Sequence, residues 1–167
     1  LMDIARFNEL IPCRTAFIDA HTPGSDQKEN YTIIGDGVSE SPDQHVHLSK
    51  TPGFNIGAAA QPAGCTNSLH SHRTAEVFII HSGKWRFFWG LYGDKGEVFL
   101  DPGDVISLPT HMFRGFENIT ELNESNPNGY GFMFAVLGGN DSGGGVLWAP
   151  QVIEAALAHG LVLLENG

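Results

Sequence analysis

Basic residues and long apolar runs are scarce in this sequence, and each shortage excludes a class of partner. Nine Lys and Arg residues stand against nineteen Asp and Glu residues, which gives the 167-residue chain a net charge of −10. A body of this charge is repelled by phosphate backbones and by anionic lipid headgroups. No run approaches the roughly 18 apolar residues that cross a bilayer. We therefore expect neither a nucleic-acid partner nor a membrane partner.

Cysteine is also scarce, and no targeting signal is visible. Cys13 and Cys65 match no CxxC spacing, which excludes a structural zinc site built on cysteines. The N-terminal residues lack the basic-then-apolar order of a signal peptide. We expect reduced thiols in a cytoplasmic protein. The terminal pair Asn166-Gly167 is typical of a hairpin turn, which leaves a longer native chain open.

Glycine and proline, by contrast, are abundant. Twenty-one Gly and nine Pro residues lie between short apolar runs, a pattern typical of an all-β sandwich or barrel. A chain of this length buries about 70% of its unfolded surface, so it does not need a metal to fold. We predict one structural domain with three parts. Residues 1–44 form N-terminal strands and loops, residues 45–149 form a barrel, and residues 150–167 form a short helix and a tail.

The densest chemistry lies between residues 64 and 83. If residues 70–80 form a strand, His70, His72 and Glu76 share one face, because side chains on a strand alternate with period two. Two imidazoles and a carboxylate can hold Fe, Mn, Ni, Cu or Zn with coordination positions left open. The alternative is a set of hydrogen-bonded core residues, although burying three such groups unpaired costs several kcal/mol.

The same segment resembles the first motif of the cupin superfamily. The pattern G-x5-H-x-H-x3-E-x6-G is complete from Gly64 to Gly83. The second cupin motif, G-x5-P-x-G-x2-H-x3-N, is matched at Gly103, Pro109 and Asn118. His111 replaces its second glycine, and Arg114 replaces its histidine. The resemblance covers about residues 45–137 and implies an all-β, double-stranded β-helix of the jelly-roll type, with its site in the barrel mouth.

Carried over by position, the resemblance implies that His70, His72 and Glu76 are ligands of a divalent transition metal. The fourth ligand of the family is a histidine, and Arg114 occupies its place. One alternative is that Arg114 forms a buried ion pair with Glu76 and leaves a metal-free barrel. The other is that Arg114 points to the opening as a catalytic residue and binds a substrate carboxylate through its planar guanidinium.

Two classes of function are compatible with these residues. The first is a metal-dependent enzyme that acts on a small, anionic organic molecule by dioxygenase-like oxidation, with Arg114 orienting the substrate. The second is a non-catalytic barrel that binds a small ligand or regulates, with Arg114 in place of the metal charge. His81 and His111 are expected to point away from the site.

The strand face opposite the predicted ligands is apolar as well. Val77 and Ile79 alternate with the ligand-facing residues and leave this sheet apolar on both sides. An apolar sheet face of this kind is expected to be buried against another protein surface. We expect a homodimer, or a second barrel in a longer chain, to bury it, with a small molecule as the other partner.

Overall fold

Short strands make up most of the fold. The computed structural model describes residues 2–140 and 145–165. The strands within these residues are β1 Glu29–Ile34, β2 Val46–Leu48, β3 Phe54–Gln61, β4 Thr66–Ser71, β5 Glu76–Ser82, β6 Trp85–Trp89, β7 Gly96–Leu100, β8 Val105–Leu108, β9 Arg114–Asn118, β10 Gly131–Gly138 and β11 Leu147–Trp148. Two 3-10 helices, Phe7–Glu9 and Ile18–His21, precede them, and the α-helix α1, Pro150–Ala158, follows. The turn predicted at Asn166-Gly167 lies outside the described residues.

The strands form two sheets. The first sheet has the order β2-β1-β3-β10-β5-β8, and the second has the order β11-β4-β9-β6-β7. β1 and β2 are parallel, whereas β3, β5 and β10 pair antiparallel. Successive strands such as β3, β4 and β5 alternate between the two sheets, which is how a jelly roll is wound. The structure therefore confirms the predicted all-β jelly-roll barrel with a short C-terminal helix.

The main core lies between the two sheets. Phe78 from β5 packs against Phe87 and Phe116 from the second sheet, with ring centroids 5.2–5.3 Å apart. Trp85 and Met133, both fully buried, complete this cluster. Because side chains alternate along a strand, Arg114, Phe116 and Asn118 of β9 all point inward. The barrel interior therefore changes along β9 from a charged end at Arg114 to an apolar core.

The outer face of the first sheet is covered in part by the N-terminal segment of the same chain. Ile33 and Phe132 belong to a buried cluster on this face, and Leu10 packs against the cluster. The Phe7 ring lies 4.9 Å from the Phe132 ring. Ile79 is still 38% exposed. The N-terminal segment thus supplies part of the cover that the sequence analysis assigned to a partner.

Helix α1 begins at Pro150, the first residue of the segment that the sequence predicts as a short helix and a tail. Pro150 occupies the first turn, and Gly160 has a left-handed φ of 88° just after the helix. The helix packs on Ile18 and Trp148, and Ala149 N–H donates to the Leu69 carbonyl beside His70. This packing fixes one wall of the barrel mouth. Among the described residues, no helix is long and apolar enough to cross a bilayer.

Candidate metal centre

His70, His72 and Glu76 converge at the charged end of the barrel. Their potential ligand atoms all lie within 4.8 Å of one another, and the three residues are 5%, 1% and 3% exposed. The two imidazole rings are 4.9 Å apart and nearly perpendicular. The His72 Nε2 atom lies 3.5 Å from the Glu76 Oε1 atom. The structure therefore brings together the three side chains that the sequence predicts as ligands.

The parity argument placed these three residues on one strand, but in the structure they do not share a strand. β4 ends at Ser71 and β5 begins at Glu76, so residues 72–75 connect two strands that belong to different sheets. The Thr74 hydroxyl group donates to the Gly138 carbonyl and fixes this connection. The three side chains meet because the two sheets face each other across the interior.

A hydrogen bond to a backbone carbonyl fixes the orientation of each histidine ring. The Nδ1 atoms of His70 and His72 lie 2.8 Å and 2.9 Å from the carbonyl oxygens of Ser68 and Gly145. A carbonyl oxygen only accepts, so each Nδ1 carries the proton and each Nε2 keeps a free lone pair. This is the arrangement found in metal-binding histidines, whose other ring nitrogen donates to a carbonyl or carboxylate.

Electrostatics keep His70 in the form that binds a metal. Burial lowers the pKa of His70 well below its usual value, and the positive charge of Arg114 lowers that pKa further. His70 is therefore a neutral imidazole at neutral pH. A neutral imidazole is the form that ligates a cation, since protonation would occupy its lone pair.

Arg114 lies beside the cluster and contacts Glu76. It pairs in register with His70 across β4 and β9 and is fully buried. Its Nε atom is 3.2 Å from the Glu76 Oε2 atom, and its Nη1 atom donates to the Met112 carbonyl. Burial lowers the pKa of the Arg114 guanidinium, and the carboxylate of Glu76 opposes that shift. This geometry matches the predicted ion pair with Glu76 rather than a guanidinium directed to the opening.

The ion pair is incompletely satisfied. The contact between Arg114 Nε and Glu76 Oε2 lacks the alignment of a hydrogen bond, and Arg114 Nη2 has no hydrogen-bond partner among residues 2–140 and 145–165. Buried charged atoms without such partners are costly. A carboxylate oxygen in this state, beside two imidazole lone pairs, is a donor set that suits a divalent transition metal. The residues present therefore fit a metal, with His70, His72 and Glu76 as its ligands.

A cavity adjoins the cluster. Its volume open to water-sized spheres is about 70 Å³, and His70, His72 and Glu76 form part of its lining. Most of the remaining lining is apolar, including Phe78 and Trp148. A small molecule in this cavity would touch the three predicted ligands directly, which is the usual relation between an apolar pocket and a few polar groups.

The other two histidines considered in the sequence lie outside the cluster. His111 and His81 are both exposed, as predicted. His111 has a left-handed φ of 62°, which explains why the cupin motif has glycine at this turn. Its backbone N–H group donates to the His72 carbonyl, so the turn helps to fix His72.

Sequence reasoning missed a second buried charge cluster behind His70. The Lys28 ammonium group contacts the Asp19 carboxylate and donates to Asn67 Oδ1 at 2.9 Å. Asp19 Oδ2 accepts from the Ser68 N–H group, and Ser68 is the residue whose carbonyl orients His70. Lys28 lies in a polar segment that reads as a turn, so no sequence pattern indicates its burial.

Comparison with known proteins identifies the fold. No family model and no curated protein matches the sequence. The polyketide cyclase RemF from Streptomyces resistomycificus matches with a TM-score of 0.58 at 12% identity, over 84% of this chain and 81% of its own. A cupin-like protein from Thermotoga maritima matches with a TM-score of 0.51 at 15% identity, over 76% and 82% of the two chains.

A third solved structure is a DMSP lyase, DddQ from Ruegeria pomeroyi. It matches with a TM-score of 0.52 at 17% identity, over 69% of this chain and 48% of the lyase. The chain therefore spans about half the length of that lyase. At sequence identities this low, the structural similarity shows a shared fold and nothing beyond it. Together with the jelly-roll topology, these matches show that the protein has the fold of the cupin superfamily.

Proposed function

We propose that this protein is a metal-dependent cupin enzyme that acts on a small organic molecule, with dioxygenase-like oxidation as its reaction. The supporting observation is the convergence of His70, His72 and Glu76, with both Nε2 lone pairs free, at one end of a cavity. A divalent ion such as Fe, Mn, Ni, Cu or Zn held there would supply Lewis acidity, and a redox-active one would pass electrons from the organic substrate to O2.

The side chains around the cluster have separate tasks in this proposal. The carbonyls of Ser68 and Gly145 hold the two imidazoles in place. Arg114 holds the Glu76 carboxylate in place, so it acts as a positioning residue rather than as a clamp for substrate. The apolar lining excludes water from the bound molecule. An anionic head group would be attracted by the bound cation and by the buried charge of Arg114.

A specific observation favours a second candidate, a non-catalytic barrel that binds a small ligand. The guanidinium of Arg114 already places a positive charge beside Glu76. A divalent cation about 5 Å from a guanidinium is repelled by about 7 kcal/mol at an effective dielectric of ~20. In that case the pair of Arg114 and Glu76 takes the place of a metal, and the cavity binds a ligand without chemistry.

Metal analysis separates the two candidates. We expect untagged protein, purified without chelators, to contain close to one transition metal per chain, or to take one up when titrated with Fe(II), Mn(II), Ni(II) or Zn(II). His70→Ala and His72→Ala should each abolish uptake and keep the β-sheet circular dichroism, because a barrel of this size folds without metal. His81→Ala and His159→Ala, at exposed histidines, are matched controls that should bind normally.

The outcomes are distinct. A protein that takes up none of these ions is the binding barrel. If the His70 and His72 variants unfold instead of losing only the metal, the two residues serve the core. Nitric oxide, a spectroscopic surrogate of O2, tests for open positions: it should bind to Fe(II)-loaded protein and change the EPR spectrum, whereas failure to bind would contradict oxygen chemistry.

We also propose that the protein is a cytoplasmic homodimer. Cys13 and Cys65 are free, buried thiols, in keeping with a reducing compartment. Ile79 and Val105 are paired on the outer face of the first sheet, where they are 38% and 62% exposed. Sedimentation at tens of micromolar, a concentration at which moderate interfaces persist, should show a dimer that Ile79→Lys dissociates. A wild-type monomer would contradict the proposal.

A further inference from the structure

The cavity owes its size to small residues on the first sheet. Gly57 and Ala59 of β3 and Ala135 of β10 all line it, and Gly57 pairs directly with Ala135 in the register of the two strands. A Cβ atom at Gly57 would lie 2.9 Å from the Tyr31 carbonyl oxygen, so the backbone approach leaves no room for a larger residue there. These three positions form a flat wall of small residues.

Aromatic side chains form other parts of the lining. Phe17 and Trp148 meet edge to face with ring centroids 5.9 Å apart, and Phe78 and Phe116 meet in the same way at 5.2 Å. The Trp148 ring lies 5.4 Å from the His70 ring. The aromatic lining therefore reaches the predicted metal ligands. A planar apolar body in the cavity would lie against ring faces and edges.

Positive charge is absent from the lining. Among residues 2–140 and 145–165, no Lys or Arg side chain lines the cavity. Arg114 is committed to Glu76. Lys28 lies behind the aromatic lining, with its Nζ atom 5.4 Å and 5.9 Å from the rings of Phe17 and Trp148, and it is neutralised by Asp19.

The polar side chains away from the cluster are neutral. Asn30, Thr32, Ser39 and Asn67 line the cavity. The Thr32 hydroxyl group already donates to Gln44, and Asn67 accepts from Lys28. An additional charge on the ligand would therefore be buried here without an opposite charge, which is costly.

From this lining we infer that the molecule bound here has a single oxygen-bearing head directed at His70, His72 and Glu76 and an aromatic or other planar apolar body in the rest of the cavity. Polyanions, such as phosphate esters and tricarboxylates, do not fit this lining. The inference that the oxygen-bearing head of the ligand binds at the metal centre rests on the proposed function. The class of the body rests on the cavity alone.

A matched pair of probes tests the body. Benzohydroxamate and acetohydroxamate carry the same chelating head and differ only in the phenyl or methyl group. We expect calorimetry on Mn(II)-loaded protein to show at least about 30-fold tighter binding of benzohydroxamate, the order expected from burying one phenyl ring. Citrate, a tricarboxylate, should bind more weakly than benzohydroxamate. Equal affinities of the two hydroxamates, or tighter binding of citrate, would overturn the inference.

A variant in the small-residue wall tests the location. Ala135→Leu fills the cavity and should weaken benzohydroxamate at least ~10-fold while leaving acetohydroxamate within about twofold. Val136→Leu is the control, since Val136 is the next residue on β10 and lies on the opposite face. Equal weakening of both probes by Ala135→Leu would place the phenyl group elsewhere. If Ala135→Leu does not fold, Ala135→Val is the milder substitute.

Failure of the proposed function gives a different result. If the protein takes up no metal, the metal-centre proposal is wrong, and the body is then tested on metal-free protein. Saturation-transfer NMR should show contact with benzyl alcohol and none with glycerol, and Ala135→Leu should reduce the benzyl alcohol signal. Absence of the benzyl alcohol signal, or an equal glycerol signal, would overturn the inference about the cavity.

Discussion

Two buried ion pairs lie within this barrel, and they differ in how completely their atoms are hydrogen-bonded. In the first, Lys28 contacts Asp19 and Asn67, while the second oxygen of Asp19 accepts from Ser68 N–H. In the second, Arg114 contacts Glu76, but within the part of the chain that the structure describes, Glu76 Oε2 and Arg114 Nη2 lack hydrogen-bond partners. All four charged side chains are at most 4% exposed.

This difference in hydrogen bonding distinguishes a pair that supports the fold from a pair that belongs to the candidate site. A buried ion pair is stable only when hydrogen bonds satisfy its remaining atoms, and the pair of Lys28 and Asp19 meets this condition. The pair of Arg114 and Glu76 leaves a carboxylate oxygen available beside two imidazole lone pairs. We interpret the first pair as support for His70 through Ser68, and the second as part of the binding site.

The largest effect is expected at the satisfied pair. Lys28→Met leaves the Asp19 carboxylate buried without its cation and should lower the free energy of unfolding by about 3–5 kcal/mol. Added metal should not restore this loss, because the missing charge does not lie among the predicted ligands. Urea denaturation measures it, with Lys84→Met as the control at a largely exposed pair with Asp101. A loss no larger than in the control would contradict the assignment.

A smaller loss, and one that metal reverses, is expected at the incomplete pair. Arg114→Met should lower the free energy of unfolding by about 3 kcal/mol without metal, since His72 still lies beside Glu76. Mn(II) or Zn(II) should restore most of it, because a bound cation replaces the guanidinium charge. Thermal melts with and without metal measure the recovery. If metal raises the melting temperature equally in both Met variants, the two pairs do not differ as argued.

Arg114→His sharpens the comparison, because it replaces the guanidinium of the incomplete pair with an imidazole that can act as a fourth metal ligand. One repulsive charge leaves and one imidazole joins, so we expect metal affinity to rise at least ~10-fold, or about 1.4 kcal/mol. Competition with a chelator measures the affinity, and Arg114→Met separates loss of charge from gain of a ligand. Equal affinities of wild-type and Arg114→His protein would mean that the second cupin motif is misaligned.

The smallest effect is expected at Glu40, a half-buried carboxyl group that accepts from Trp148 Nε1 and Ile18 N–H. Burial raises the pKa of Glu40, so the folded state holds this proton to higher pH than the unfolded state does. Stability contributed by the group is therefore present at low pH and lost as pH rises above the usual pKa of about 4.3. Glu40→Gln should remove that loss.

Melting temperatures measured from pH 4 to pH 8 test this prediction. The difference between Glu40→Gln and wild-type protein should grow in favour of the variant as pH rises. Glu121→Gln, at an exposed glutamate, should follow the wild-type curve. A constant difference across this range would mean that the environment of Glu40 does not favour its protonated form.

The sequence correctly predicts that the three ligand-type residues lie together, but the single strand from which it predicts this is not present in the structure. His70, His72 and Glu76 were expected together from strand parity, yet β4 ends before His72 and β5 begins at Glu76. The complete first cupin motif carried the correct grouping, because it reflects a three-dimensional arrangement. The small residues of β3 could have indicated a cavity, but nothing in the sequence pairs Gly57 with Ala135.

The sequence by itself determined the all-β class, the helix from Pro150 and the choice of three ligand-type residues, because alternation, turn residues and motif spacing are local properties. The jelly-roll fold was implied by the resemblance to the cupin motifs. Only the tertiary structure decided between the two orientations of Arg114 and buried Lys28 against Asp19. It also left no Lys or Arg side chain of the described residues in the lining of the cavity. These outcomes depend on which strands become neighbours and which charges then lose water. A buried charge takes the partner that the fold places beside it: Glu76 lies 38 positions before Arg114 along the chain, whereas Asp19 lies only nine positions before Lys28.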